Sequence, residues 1–307
     1  RIKSWKKGGH GLQTFREVLQ NSSNPGFVEI GRRLGKDKLY EYVKKFGLTE
    51  KTGIDLPGES KGIMFDYDAF NELEQATVAF GQGISVTPMQ LVRAVCACVN
   101  GGTLYQPYLV DKIIDSYTND IIYEKQPEAL RTVISEEASK KIRDALETVV
   151  TDGGGKNAYI DGYRIGGKTG TAQKAVNGSY VDGGYILSFI GIAPIDDPQI
   201  VLYVAMDNPK NCVQYGGTTV APIARKMLVD ILPSMGIEKV SSQRQKAYTI
   251  TDTKTVKVEN YIGKTKKEVS NPELKFKFIG EGDKVIDQLP RVGEYVEAGS
   301  TIVIMLG

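Results

Sequence analysis

The chain has 307 residues, of which 41% are hydrophobic and 25% are charged, which is typical of a soluble globular protein with one large and one small domain or two medium ones. Its net charge of +2 gives no electrostatic argument for nucleic acid or for an anionic membrane. Three cysteines (Cys96, Cys98 and Cys212) are too few for a disulfide framework, and no run of eighteen apolar residues predicts a membrane span.

The first half of the chain predicts helices. Within residues 11–46, apolar residues recur at helical spacing in "LQTFREVL" and "LYEYVKKF", and the polar and proline-glycine stretch "NSSNPGF" between them predicts a turn that begins a new helix. The segment "TPMQLVRAVCACVNGG" has proline near its start and glycines at its end, which is typical of a helix. A further helix is predicted in "SEEASKKIRDALETVVTDGGG", with Ser135 as its N-cap.

The segments that follow are short and rich in β-branched and aromatic residues. The stretches "YRIGGKTGTAQ", "ILSFIGIAPI" and "QIVLYVAMDN" are separated by "VNGSYVDGG" and "DDP", which predicts antiparallel strands joined as hairpins. A last helix is predicted in "TVAPIARKMLVDIL". Residues 1–237 are therefore predicted to form an α+β domain, an antiparallel sheet flanked by helices.

The rest of the chain predicts a linker and a small second module. Residues 238–253 are assigned to the linker, since the chain from Ser241 to Lys254 is polar and lacks apolar periodicity. The stretches "LKFKF", "KVIDQL" and "STIVIML" in residues 254–307 predict strands. A module of roughly fifty residues is near the size at which a single core becomes marginal.

The stretch "YRIGGKTGTAQ" fits two patterns with different chemistry. Gly162, four further residues and Gly167-Lys168-Thr169 fit a nucleotide phosphate loop, whereas Lys168-Thr169-Gly170 fits the lysine element of penicillin-reactive serine enzymes. A phosphate loop needs a helix directly after it, and the following residues carry hairpin turns instead. The context favours an edge strand with glycines that let a substrate backbone approach. Taken alone, the three residues are more often a solvated lysine in a hairpin.

Other stretches add weight to the second pattern. "SSN" at residues 22–24 matches a serine-x-asparagine element, and "WKKGGHG", "AFGQGISVTPMQL", "VNGGTLYQP", "GKTGTA" and "YGGTTVAP" accompany it. In this order, residues 1 to about 235 resemble the transpeptidase domain of class B penicillin-binding proteins, with its N-terminal part missing. Because of "VENYIGKT" and "FKFIGEGDKVIDQLPRVGEYVEAGSTIVIML", residues 254–307 resemble a PASTA domain. Together they are most similar to the sporulation-specific branch of the family in endospore-forming bacteria.

The resemblance implies a peptidoglycan D,D-transpeptidase that cross-links stem peptides through an acyl-serine intermediate and is a target of β-lactams. The residues that it assigns to the site are catalytic Ser22, Asn24 and Lys168 and substrate-binding Thr169, Gly170 and Thr171. In this assignment Ser22 shuttles a proton towards the leaving amine, and Asn24 hydrogen-bonds the substrate amide. Lys168 with Thr169 and Thr171 holds the terminal carboxylate, and the Thr171 N–H forms part of the oxyanion hole.

The family's serine-x-x-lysine element, which supplies the nucleophile and its base, lies upstream of the serine-x-asparagine element. The one match in this chain is Ser4 to Lys7, which is only eighteen residues before Ser22 and is followed at once by two glycines. We therefore expect the nucleophile to lie upstream of this chain, and the chain alone to be inactive. The alternative is a non-catalytic peptidoglycan-binding sensor or scaffold with the same fold. A serine-x-x-lysine element in the upstream sequence would support the enzyme, and its absence would support the sensor or scaffold.

The resemblance implies no cofactor, no metal and no nucleic acid. The expected partners are peptidoglycan stem peptides, β-lactam antibiotics, and proteins of cell-wall synthesis, division or sporulation. A membrane anchor upstream of this chain is expected to hold it at the extracytoplasmic face of the bacterial membrane.

His10 lacks neighbours at metal-ligand spacing and is predicted to be structural. In the terminal module Glu259 replaces the usual proline, and "KTKKEVSNPEL", interrupted by Pro272, predicts a stunted helix.

Overall fold

The computed structural model describes residues 2, 4–5, 9–176, 179–240 and 255–307. Its helices are α1 (Phe15–Gln20), α2 (Asn24–Leu34), α3 (Lys36–Lys45), α4 (Glu72–Ala79), α5 (Pro88–Val99), α6 (Glu136–Thr151), α7 (Gly216–Thr219) and α8 (Ala221–Ser234). Its strands are β1 (Thr103–Gln106), β2 (Lys112–Ile114), β3 (Ile121–Glu124), β4 (Glu128–Thr132), β5 (Gly166–Val176), β6 (Ser179–Ala193), β7 (Ile200–Asp207), β8 (Thr255–Lys257), β9 (Lys275–Ile279), β10 (Val285–Leu289), β11 (Tyr295–Glu297) and β12 (Thr301–Leu306). The predicted α+β class is confirmed.

The central sheet contains the three strands that the sequence predicts. Its order is β5-β6-β7, and both pairs are antiparallel. In the first pair, Lys168 lies opposite Ile190 and Thr169 lies opposite Phe189. The predicted turn between β5 and β6 includes residues 177–178, which lie outside the described part of the chain. Among the described strands, β6 is the one that pairs with β5, so no described strand lies along the other edge of β5.

Helices cover both faces of the central sheet. On one face, Phe189 belongs to the same buried cluster as Leu228 of α8. On the other face, Ile192 belongs to a buried cluster that includes Val99 of α5 and Leu146 of α6. Since side chains alternate along a strand and register partners share a face, Lys168 lies on the α5–α6 face, and Thr169 lies on the α8 face.

The predicted helix caps are confirmed. Helix α6 begins after Ser135, whose hydroxyl accepts from the Ala138 N–H, and α5 begins with proline after a capping box at Thr87. The predicted helical region 11–46 is divided into α1, α2 and α3. These caps fix where each helix starts relative to the sheet.

Residues 103–132 form two antiparallel strand pairs that the sequence reasoning missed. Strand β1 pairs with β4, and β2 pairs with β3. Every residue of β2 and of β3 is exposed, so the apolar alternation that marks a half-buried strand is absent. None of the described helices is long and apolar enough to cross a membrane.

Residues 255–307 contain a buried cluster of their own, which includes Tyr261, Ile302 and Ile304. The three strands predicted from the sequence form a sheet of order β10-β12-β9, in which β9 is parallel to β12. Strands β8 and β11 form a second pair. The stunted helix predicted in "KTKKEVSNPEL" is reduced to turns, and most of the predicted linker lies outside the described residues.

Candidate active site

The junction between α1 and α2 places Ser22 in an unusual backbone conformation. Helix α1 ends with Asn21 as its C-cap, and Ser22 follows with φ 51°, in the left-handed region that a residue with a side chain adopts at a cost. The next residue, Ser23, is buried and caps α2 by accepting from the Gly26 N–H. Because Ser23 supplies the cap, the Ser22 hydroxyl remains available to another partner.

That partner is Lys168. The Lys168 Nζ donates to Ser22 Oγ at 2.8 Å and to the backbone carbonyl of the next residue, Thr169, at 2.9 Å. The two side chains are 146 positions apart in the sequence. Strand β5 and the α1–α2 junction thus bring together two of the residues that were predicted to share a site.

The Lys168 ammonium has no acidic partner in the described part of the chain. Burial lowers the pKa of Lys168 to about 8, and no carboxylate opposes that shift. A partly buried cation whose hydrogen-bond partners are both neutral favours the approach of an anion. The site therefore fits a carboxylate ligand at neutral pH, when Lys168 is mostly charged.

The Thr169 side chain belongs to the opposite face of β5. It is 8% exposed, and its hydroxyl interacts with the hydroxyl of Tyr215. Burial raises the pKa of Tyr215, and the hydrogen bond from Thr169 partly opposes that shift. Of the groups on Thr169, the backbone carbonyl reaches the Lys168 ammonium, whereas the hydroxyl stabilises the back of the strand.

Gly170 and Thr171 lie where α7 meets the sheet. The Gly216 N–H at the start of α7 donates to the Thr171 hydroxyl at 3.2 Å. A Cβ added to Gly170 would lie against the Ser188 hydroxyl on the neighbouring strand, so glycine at this position permits the close pairing. The predicted substrate-binding residues thus occupy the middle of β5, where α7 supports the strand.

Asn24 is the predicted residue that the structure does not join to the others by a hydrogen bond. It lies in the first turn of α2, two residues after Ser22, and is partly exposed. Its side-chain amide has no hydrogen-bond partner among the described residues. The predicted contact of this amide with the substrate stays a prediction.

Sequence reasoning assigned no role to Tyr215 or to the glycine loop 153–155. A Cβ on Gly154 would lie 2.7 Å from the Tyr215 hydroxyl, and the Gly154 N–H donates to the Gln20 carbonyl at 3.4 Å. The loop thus lies between the end of α1 and Tyr215. The signal available in the sequence was the run of glycines, whose need for close approach appears only once the neighbours are known.

The structure rules out the phosphate-loop pattern at Lys168. After Thr169 the chain continues as strand β5 to Val176, so no helix N-terminus follows to supply backbone N–H groups to a phosphate. In the described part of the chain, no cluster of three or more histidine, cysteine or acidic residues could hold a metal ion. His10 contacts Ser4 through a hydrogen bond of 3.3 Å between its Nδ1 and the serine hydroxyl.

Comparison with known proteins gives a consistent result. Residues 1–229 match the family model described as the penicillin binding protein transpeptidase domain. The chain is 51% identical over 308 residues to Stage V sporulation protein D of Bacillus subtilis (strain 168), covering 100% of this chain and 48% of that protein. It is 31% identical over 226 residues to the probable peptidoglycan D,D-transpeptidase PenA of Neisseria meningitidis serogroup B, covering 72% of this chain and 36% of that protein. The chain spans about half or less of the length of these relatives.

Solved structures show the same fold. Penicillin binding protein 3 from Mycobacterium tuberculosis, complexed with ampicillin, is similar with a TM-score of 0.71 and 29% identity, covering 78% of this chain and 55% of that one. The apo TP domain of Burkholderia pseudomallei penicillin-binding protein 3 is similar with a TM-score of 0.68 and 30% identity, covering 78% of this chain and 69% of that one.

Proposed function

The chain belongs to the transpeptidase family of the class B penicillin-binding proteins, and on that premise we propose that the protein containing it cross-links peptidoglycan stem peptides through an acyl-serine intermediate. β-Lactams acylate the same serine. Similarity to Stage V sporulation protein D supports a role in spore or septal wall synthesis. The observation that carries the proposal is the 2.8 Å contact between Lys168 and Ser22, which unites the lysine and serine elements in one site.

The proposed reaction has two steps. In the first, a serine upstream of this chain, activated by a lysine base one helical turn away, attacks the carbonyl of the penultimate D-alanine. An ester bond forms, the C–N bond to the terminal D-alanine breaks, and Ser22 delivers a proton to the leaving amine. In the second, an amine of a neighbouring stem peptide attacks the ester, and the serine oxygen regains its proton as the new amide forms.

The described residues supply the remaining requirements. The Lys168 ammonium holds the terminal carboxylate by a charge-assisted hydrogen bond. The Thr169 backbone carbonyl orients that ammonium, whereas the Thr169 hydroxyl faces Tyr215 on the other side of β5. The edge of β5 away from β6 accepts the stem peptide as an added strand, and the Thr171 N–H serves the oxyanion hole. Asn24 hydrogen-bonds the substrate amide.

The proposed location follows from the substrate. Stem peptides lie outside the cytoplasm, so the protein is held at the extracytoplasmic face of the membrane by an anchor upstream of this chain. There it meets other proteins of cell-wall synthesis, division or sporulation.

Covalent labelling tests the proposed function. The complete protein, incubated with a fluorescent penicillin, should form one adduct, located by intact mass and peptide mapping on a serine upstream of this chain. The 307-residue chain alone should form none, since Ser4 does not lie on a helix that could hold a lysine base one turn away. Ser4→Ala in the complete protein should label normally.

Two results would contradict this assignment. An adduct on the 307-residue chain that disappears in Ser4→Ala would place the nucleophile at Ser4. A complete protein that binds isolated peptidoglycan but forms no adduct would be a sensor or scaffold with the transpeptidase fold.

We also propose that residues 254–307 are a PASTA module that is dispensable for acylation. The cluster around Tyr261 lies wholly within residues 256–306, so the module has a core of its own. The complete protein shortened to end at about residue 240 should keep its acylation rate and its melting temperature. A tenfold slower acylation would show that the module supports the cleft.

A further inference from the structure

The carbonyl groups at the end of α1 are bonded by distant parts of the chain. The last carbonyls of a helix have no partner inside the helix. The Gln20 carbonyl accepts from the Gly154 N–H, and the Asn21 carbonyl accepts from Trp5 Nε1 at 3.0 Å. The residue after Asn21 is Ser22, so the Trp5 indole fixes the peptide that leads into the left-handed turn.

The Trp5 ring has a second contact. It packs against the Tyr215 ring, with 5.7 Å between the ring centroids and an interplanar angle of 34°. Tyr215 directly precedes α7, which supports Thr171 through Gly216, and its hydroxyl interacts with Thr169. The Trp5–Tyr215 pair therefore joins the junction that carries Ser22 to the back of the strand that carries Lys168.

The backbone of Ser22 explains why such a tie is needed. A serine at φ 51° is strained, and strained residues persist only where their surroundings hold them. Two local bonds close the turn, from the Ser22 N–H to the Leu19 carbonyl at 3.2 Å and from the Ser23 N–H to the Val18 carbonyl at 3.0 Å. The Trp5 indole adds a bond to the Asn21 carbonyl from outside the segment, and without it that carbonyl loses its partner and the turn is held less firmly. Ser22 Oγ would then leave the position from which it contacts Lys168.

We propose that Trp5 is a positioning residue, which together with Tyr215 holds the Ser22 hydroxyl against Lys168 for proton delivery to the leaving group. This inference rests on the proposed function. Trp5 itself is not proposed to contact the substrate. Replacing Trp5 should therefore affect the step in which Ser22 delivers a proton.

The test compares two substrates that differ in the leaving group. Penicillin expels an amine nitrogen, which must be protonated as the C–N bond breaks. A thioester of an acylated D-alanine expels a thiolate, which leaves without a proton because a thiol has a pKa of about 8.5. In the complete protein, Trp5→Ala should slow acylation by penicillin about tenfold, since one hydrogen bond and the ring contacts with Tyr215 and His10 are lost. Acylation by the thioester should change less than threefold.

Two further variants separate the contacts. Trp5→Phe keeps a ring against Tyr215 but removes the indole N–H, and it should slow acylation by penicillin about threefold. Phe15→Ala removes another exposed aromatic side chain, 67% exposed against 56% for Trp5, and should leave both rates unchanged. Melting temperatures of all variants show whether each one is folded.

The outcomes distinguish the inference from the function on which it rests. If neither substrate acylates the wild-type protein, the proposed function is wrong. A wild-type protein acylated by both, with Trp5→Ala slowed equally for both substrates or slowed for neither, overturns the role of Trp5 and leaves the transpeptidase proposal standing.

Discussion

Replacing Lys168 by alanine is expected to raise the barrier to acylation of the complete protein by penicillin by about 2–4 kcal/mol, which slows the reaction roughly 30- to 1000-fold. The reason is that the partners of the ammonium among the described residues are both neutral, the Ser22 hydroxyl and the Thr169 carbonyl, so that the ammonium is available to a carboxylate. The variant removes both the positive charge and the hydrogen bond that orients Ser22. Stopped-flow measurement of the acylation rate gives the size of the effect.

Lys174→Ala is the matched control, because Lys174 lies on the same strand but pairs with Asp207 at 2.6 Å near the surface. Exposed ion pairs contribute little, so this variant should acylate at the wild-type rate. An acylation rate for Lys168→Ala within threefold of wild type would eliminate the carboxylate-binding role. Equal slowing in both variants would indicate a general electrostatic effect of the strand.

The pairing of Lys168 with Ser22 was predictable from the sequence only through the resemblance to a family. Local pattern predicted strand β5 and the turn after α1, because glycines, β-branched residues and a proline mark them. No local sequence pattern predicts that two residues 146 positions apart are in contact. Chain topology decides that contact, and the order of the motifs was the only sequence signal for it.

Other features were beyond local prediction for a different physical reason. Either Ser22 or Ser23 could cap α2, and the choice of Ser23 depends on the left-handed turn at Ser22, which the residue types alone do not predict because serine adopts that conformation at a cost. The role of Trp5 was hidden in the same way, since its partners are a carbonyl and a ring from distant segments. Strands β2 and β3 were missed because the apolar alternation that reports a buried face is absent from them.

The site is thus assembled on a rigid sheet from short, individually weak elements. Strand β5 is held by β6 on one edge, and the register between them fixes which face each residue takes. Helix α7 reaches β5 through a close backbone contact at Gly216, where a Cβ would meet the carbonyl oxygens of Gly170 and Ser188. At Gly154 and Gly170 a Cβ would instead meet the side-chain hydroxyls of Tyr215 and Ser188. A change at Gly216 should therefore affect the site as strongly as a change at one of its polar groups.

Gly216→Ala is expected to destabilise the complete protein by about 2–4 kcal/mol and to slow acylation. A Cβ at this position would lie closer than 3.0 Å to the carbonyl oxygens of Gly170 and Ser188, which are backbone atoms fixed in the sheet. Overpacking of this kind costs about 1–3 kcal/mol, and losing the bond from the Gly216 N–H to Thr171 adds about 1 kcal/mol. The melting temperature should fall by roughly 5–15 °C.

Gly236→Ala separates this steric effect from the general cost of replacing glycine. Gly236 has φ 72° and open space around its Cβ position, so alanine there incurs only the backbone strain of about 1 kcal/mol. If both variants melt at the same temperature, the contact between α7 and the sheet contributes nothing beyond that strain. A Gly216→Ala protein that melts well below Gly236→Ala, with slower acylation in folded samples, would show that α7 must lie directly on β5 for Thr171 to be correctly placed.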